Sequence, residues 1–164
     1  DTYRASIAEE AVALGADIVN DISGGLFDAK MFTTVAALNV PYIAMHNRGT
    51  AQTMHLNPSY NNVTDEVIND MRAIADSCQT SGIKDLIIDP GFGFAKNVDH
   101  NFELLNNMAQ LRTLGKPILA GLSRKSMIYK SLHTSASAAL NGTTALHMVA
   151  LHVVYMCLIC CIYQ

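Results

Sequence analysis

Four stretches of this sequence carry polar side chains out of apolar runs and into tight turns. They are "NDISGG" at residues 20–25, "MHNRG" at 45–49, "DPGFG" at 89–93 and "LSRKS" at 122–126. Between them they supply Asn20, Asp21, His46, Arg48, Asp89, Arg124 and Lys125. A buried carboxylate such as Asp89 can accept two hydrogen bonds side by side from a planar, amidine-like edge. A nearby lysine can donate to a ring carbonyl or nitrogen, and an asparagine can serve either way. Together these groups suit a flat heterocycle with an amino group beside a ring N–H. "SRKS" also opens a helix, and a helix start attracts an anion such as a carboxylate or phosphate. The residues alone point to an enzyme that holds an anionic heteroaromatic substrate. His46 reads equally as a structural or a pocket-lining residue, and His100, His133 and His147 carry no spacing signal.

The elements that must position these groups alternate along the chain. "DTYRASIAEEAVALGA" places Ile7, Ala11 and Leu14 at helical spacing, with Gly15 as the stop. "DIVND" is a short strand. The next helix takes Asp28 as its N-cap and buries Met31, Val35 and Leu38. A strand covers Tyr42 to His46, and a long loop follows. Thr64 caps a helix whose buried stripe is Val67, Met71, Ile74 and Cys78, ended by Gly82. "DLIID" is a strand, Asn97 or Asp99 opens a helix to about Leu114, and "KPILAGLS" is another strand. Helical sequence runs from Arg124 to about Leu151, broken near residues 133–137.

Short strands, apolar on both faces and separated by amphipathic helices, call for a parallel sheet covered by helices. In such an α/β chain every strand ends on the same side, and in a (β/α)8 TIM barrel the ends converge on one mouth. A closed barrel needs eight strands and ~250 residues. This chain has 164 residues and offers about four strands, so the expected fold is an incomplete barrel of parallel TIM-barrel type. Its open edges would pair or aggregate. Its inner apolar side chains would meet water, at ~1.5–3 kcal/mol each. The expectation is a chain that folds poorly alone or associates.

Half the residues are apolar, and the net charge is −3 with no basic block. That argues against binding a nucleic-acid backbone. The apolar run from Met148 to Tyr163 is 16 residues long, interrupted by His152. It is short of the ~20 that a membrane helix needs. Cys78 reads as a core residue, and "CLICC" at residues 157–161 has no partner ligands at zinc spacing. The compartment implied is a reducing one.

The ordered set "NDISGG", "DPGFGFAKN", "SRKSMI" and "NGTTALHMVAL" resembles dihydropteroate synthase over residues 1–151. The resemblance implies a cytoplasmic, usually homodimeric transferase of folate biosynthesis and a target of sulfonamides. It would join p-aminobenzoate to 6-hydroxymethyl-7,8-dihydropterin diphosphate and release pyrophosphate, with Mg²⁺ aiding departure. Carried over residue by residue, it implies that Asp1, Asn20, Asp89 and Lys125 contact the pterin, with Asp89 and Lys125 the catalytic pair. Ile22 and Met45 would wall the pterin slot. Phe94 and Ser126 would lie near p-aminobenzoate.

Two departures accompany the match. The family's first two strands, with an asparagine that helps hold Mg²⁺, are expected to be missing, leaving no metal ligand in this chain. The family's closing Arg-x-His-Asp is replaced after Leu151 by "HVVYMCLICCIYQ". Residues 152–164 are therefore expected to form an aberrant apolar tail beside a partial barrel domain at 1–151, though the tail could add one strand. Two other readings stand beside this one. One is a methyltetrahydrofolate–corrinoid methyltransferase-like pterin barrel. The other is a catalytically dead chain that only binds pterin or a partner.

Overall fold

A computed structural model describes residues 1–50, 53, 59–153 and 156–158. Five short strands form one sheet: β1 (Val19–Asp21), β2 (Tyr42–Met45), β3 (Leu86–Asp89), β4 (Ile118–Ala120) and β5 (Met156–Leu158). All neighbours are parallel, and the spatial order equals the chain order. A doubly wound sheet reverses its strand order partway. This one does not, so its winding is that of a barrel arc.

Helix α1 (Ala5–Ala13) precedes β1, and α2 (Met31–Leu38), α3 (Val63–Ser81), α4 (Val98–Asn106), α5 (Ser126–Ser131) and α6 (Leu140–Val153) lie between successive strands. A 3₁₀ segment, Met108–Leu114, follows α4. The expected boundary after residue 151 falls inside α6. Most of the "CLICC" stretch, and the rest of the tail beyond Leu158, lie outside the described residues.

Strand side chains alternate between faces, and the register fixes which residues share one. Val19 pairs with Tyr42, Asp21 with Ala44, Tyr42 with Leu86 and Ala44 with Ile88. This face meets the helices: the Tyr42 ring stands edge-on to Phe32 of α2 at 5.9 Å. Its residues join one apolar core with Met31 and Val35 of α2, Val67, Met71 and Cys78 of α3, and Leu104 of α4. The opposite face carries Asn20 beside Ile43, and Met45 beside Asp89. This inner face was expected to meet water, yet its residues Ile43, Met45 and Leu119 are only 3–6 % exposed.

Local signals differ from expectation at three places. The buried residues of α1 are Ala5 and Ala8, while Ile7 and Leu14 are exposed, so small side chains make that contact. Asp28 does not cap α2. Its carboxylate accepts from the amides of Lys30 and, across the fold, Ala5 at the start of α1. Asn62, not Thr64, caps α3, accepting from Asp65 N at 3.0 Å. Thr64 lies one residue inside the helix and is buried.

Candidate functional site

The C-terminal ends of β1 to β4 turn into loops on one side of the sheet. The loops after β1, β2 and β3 each begin at a buried polar group: Asp21, His46 and Asp89. After β1 that group is Asp21, which is fully buried. One oxygen accepts from Ser23 N and Ser23 Oγ, both at 2.7 Å. The other accepts from Gly25 N at 2.9 Å and from the Tyr42 hydroxyl at 2.7 Å. Burial first, and the Asp21 charge second, raise the pKa of Tyr42, so it stays a donor. All four lone-pair sites of Asp21 are used. It is thus a turn anchor and does not reach into the mouth, contrary to expectation. Its neighbour Asn20 turns to the other face and donates to the Asp1 carboxylate. Ile22 and Asp1 border an open cavity of about 420 Å³, together with Tyr3, Arg4 and Ile7.

After β3 the chain makes the turn that carries Asp89. One carboxylate oxygen accepts from Gly91 N at 2.7 Å. The other faces Gly121, where a β-carbon would lie 4.0 Å from it and 3.4 Å from Lys125 Nζ. Gly121 therefore leaves room for the carboxylate and the ammonium beside the same point. Lys125 also lies along Gly93, whose added β-carbon would sit 3.1 Å from Lys125 Cδ. Its ammonium donates to the carbonyl of Phe92 and stands 4.9 Å over the Phe94 ring. Burial raises the pKa of Asp89, while the Lys125 charge and the Gly91 N–H pull it down. A carboxylate held this way strengthens when a ligand brings further donors.

A second polar network lies behind this turn. Lys96, 8 % exposed, brings Nζ within 3.0 Å of His46 Nδ1, 3.1 Å of the Gly91 carbonyl and 3.2 Å of the Phe94 carbonyl. His46 Nε2 lies 3.1 Å from Asp70 of α3. Asp70 also accepts from Arg48 Nε and Nη2, at 3.0 and 2.8 Å, and Arg48 Nη1 reaches Glu66 at 2.8 Å. Arg48 stacks on Tyr60 at 4.3 Å. Burial lowers His46 to about 4, against the opposing pull of Asp70. The hydrogen bond from His46, then burial acting oppositely, then Arg48, leave Asp70 below its ordinary range. Burial likewise pulls Lys96 down to about 7, opposed by Asp89. The three partners of Nζ all accept, however, an arrangement that only the ammonium satisfies in full.

Of the residues expected at the site, Asn20, Met45 and Asp89 share one sheet face, and Lys125 joins Asp89 from the next loop. Asp1 joins through Asn20. Phe94 is half-buried under Lys125, and Ser126 is the half-buried first residue of α5. That helix spans only six residues, so its dipole offers an anion little. His46 and Arg48 turn toward α3 instead of the mouth. Arg124 is half-buried, with its backbone N–H on Thr143 Oγ1 at 2.9 Å. Lys96 and Asp70 were not singled out from the sequence. Lys96 could have been noticed as a lone cation in a turn of glycines and phenylalanines. Asp70 sits on a helix next to its apolar stripe and gives no signal.

Among the described residues no group of three or more His, Cys, Asp or Glu side chains is placed to hold a metal ion. No helix among them is long and apolar enough to cross a membrane.

A sequence profile for a family described as pterin binding enzyme matches residues 1–158. A dihydropteroate synthase of Clostridium beijerinckii is 38% identical over 153 residues, covering 92% of this chain and 54% of that protein. A dihydropteroate synthase from Thermus thermophilus, solved in complex with 6HMPPP, superposes with a TM-score of 0.90 at 34% identity. That match covers 96% of this chain and 63% of the other. The Xanthomonas albilineans enzyme solved with 4-aminobenzoic acid gives 0.89 at 34% identity, over 96% of this chain and 56% of the other. The chain spans about half the length of the curated relatives it matches.

Proposed function

The chain belongs to the family of pterin-binding enzymes, and from that premise we propose that it forms the pterin-holding part of a dihydropteroate synthase site. The observation that carries the reading is the placement of Asp89 and Lys125 beside the same glycine, on the sheet face that also bears Asn20 and Met45. Asp89 accepts the amino and ring N–H edge of the pterin. Lys125 donates to the far side of that ring. Asn20, held by Asp1, completes the polar rim, while Met45 and Ile22 pack against the flat faces. The ring's N–H donors replace the water that Asp89 loses on burial.

The chemistry follows from charge. Pyrophosphate leaves a methylene carbon attached to an electron-rich dihydropterin, and the ring shares the positive charge that develops. A fixed carboxylate at Asp89 favours that cation without reorganising. The amine of p-aminobenzoate then attacks the same carbon and loses a proton. Phe94 and Ser126 hold the arene and its carboxylate in line. The leaving group is pyrophosphate, so no covalent enzyme nucleophile is needed. Mg²⁺ would assist pyrophosphate departure, but among the described residues no group of three or more His, Cys, Asp or Glu side chains is placed to hold it. The Phe94 ring under the Lys125 ammonium favours an arylamine partner over methyl transfer to a corrinoid. We place the reaction in the cytoplasm, in keeping with the free, buried Cys78.

The test is calorimetric titration of the chain with 6-hydroxymethyl-7,8-dihydropterin diphosphate, followed by p-aminobenzoate in the presence of pyrophosphate. Saturable pterin binding that is lost in Lys125→Met is expected. Absence of binding by the parent chain refutes the reading. Dihydropteroate formation by the chain alone would show that these residues also suffice for turnover. Size-exclusion chromatography across a concentration series reports whether the chain self-associates.

A further inference from the structure

The loop from Asp89 to Asn97 is coiled more tightly than its glycines alone explain. Gly91 and Gly93 have φ of 70° and 80°, and Ala95, which has a β-carbon, has φ of 47°. A left-handed alanine is strained, so something must hold the loop in this shape. The coil wraps around one atom. Lys96 Nζ sits inside it, donating to the Gly91 and Phe94 carbonyls of the same loop and to His46 Nδ1 at the end of β2. A hydroxyl from Tyr60 takes the adjacent Ala95 carbonyl at 2.8 Å.

The proton inventory is determined by the partners. Asp70 can only accept, so the single N–H of neutral His46 points to it from Nε2. Nδ1 is then a bare acceptor, and Lys96 fills it. Arg48, itself held by Glu66, fixes Asp70 in turn. The cation is thereby tied to β2 and α3, elements that do not belong to the loop.

Two functional side chains hang on the groups that Lys96 holds. Gly91 gives its carbonyl to Lys96 and its N–H to Asp89, which leaves the other Asp89 oxygen turned toward Gly121. Phe94 gives its carbonyl to Lys96 and its ring to Lys125. We infer that Lys96 is a positioning residue of this site, whose three donors set the curvature of the 89–97 loop and so fix Asp89 and Phe94 relative to one another. The inference rests on the pterin reading for its consequence in binding, but the loop geometry it claims exists without ligand.

The experiment uses the whole chain and Lys96→Met, which keeps the stem and removes the donors. Amide hydrogen exchange of the ligand-free proteins is compared at Gly91, Gly93 and Phe94, with α3 as the internal control. Affinity for 6-hydroxymethyl-7,8-dihydropterin diphosphate is measured in parallel. The expected result is at least a tenfold loss of loop protection with α3 unchanged, and at least a tenfold weaker pterin complex. His46 supplies a spectroscopic signature: its Nδ1 resonance should move toward that of a free imidazole acceptor in the variant. Loop protection equal to the parent's overturns the inference even if pterin binding is confirmed. If the parent binds no pterin, the functional reading fails and loop protection alone decides the role of Lys96. Should Lys96→Met not fold, His46→Asn and His46→Leu replace it. Asparagine keeps an acceptor for Nζ and should retain loop protection within about threefold of the parent, while leucine should lose it. Equal protection in the two overturns the inference.

Discussion

Gly91 and His46 meet backbone to backbone: a β-carbon on Gly91 would overlap the carbonyl oxygen of His46. The two loops that flank Asp89 are pressed together at a point where only hydrogen fits. Gly91 also lies in the left-handed region, so strain and overlap act together. Gly91→Ala should lower stability by about 2 kcal/mol or more, read as a shift in the urea midpoint. Gly93→Ala meets only the flexible stem of Lys125 and should cost less. A Gly91→Ala protein as stable as the parent would show that the loops are not in contact.

If Asp89 holds the pterin as proposed, it joins stability to binding with opposite signs. Burial raises its carboxyl above the ordinary 3.8, with Lys125 and Gly91 N–H opposing. The folded chain therefore binds the proton more tightly than the unfolded chain. Stability falls as pH rises from the unfolded value through the folded one. Asp89→Asn keeps an acceptor for Gly91 and removes the buried charge. Its melting temperature at neutral pH should rise by about 2–4 °C. Its pterin affinity should fall roughly 10- to 100-fold, the worth of charged hydrogen bonds. An amide variant that binds like the parent would remove Asp89 from the pterin's edge.

The His46 network should be visible in mild acid. The folded-state value of about 4 lies below the unfolded 6.5, because burial disfavours the imidazolium. As pH falls the unfolded chain takes the proton first. Stability present above pH 6.5 is then lost progressively toward pH 4, by on the order of 3 kcal/mol. Urea unfolding of the parent and of His46→Asn between pH 4 and 7 checks this. The variant's curve should be flatter. Parallel curves would mean that His46 titrates alike in both states.

Asp21 predicts the cost of losing a fully used anchor. Removing one of its four donors with Tyr42→Phe should cost about 1 kcal/mol. Asp21→Ala should cost about 3 kcal/mol, because it strands the buried hydroxyl of Ser23 and the Gly25 amide together. If both changes cost the same, Asp21 is not the hub of this turn.

Much of the architecture was legible because it depends on local order. The stripe of Val67, Met71, Ile74 and Cys78 announced α3, and Gly82 closed it where expected. Short apolar runs between amphipathic segments gave the parallel sheet, and the strand ends gave the side on which polar groups gather. What failed was local choice between near-equal options. Asn62 and Thr64 both suit a cap, and only the path of the preceding loop selects one. Asp28 looked like a cap for the helix ahead of it, yet spends one oxygen on α1, 23 residues behind.

The sequence by itself determined on which side the polar residues gather, since a parallel winding brings the strand ends near Asn20, Asp89 and Lys125 to one side of the sheet. It could not sort those whose side chains stand on the open sheet face from those that turn back into the fold. Asp21, His46 and Arg48 have the same chemistry as their neighbours and the same kind of position. Parity along the strands, the Tyr42 hydroxyl of β2 that meets Asp21, and the Asp70 and Glu66 carboxylates of α3 that meet His46 and Arg48 turned them inward. A charge's partner in space is set by packing between distant segments, and that is a property of the fold, not of the spacing along the chain.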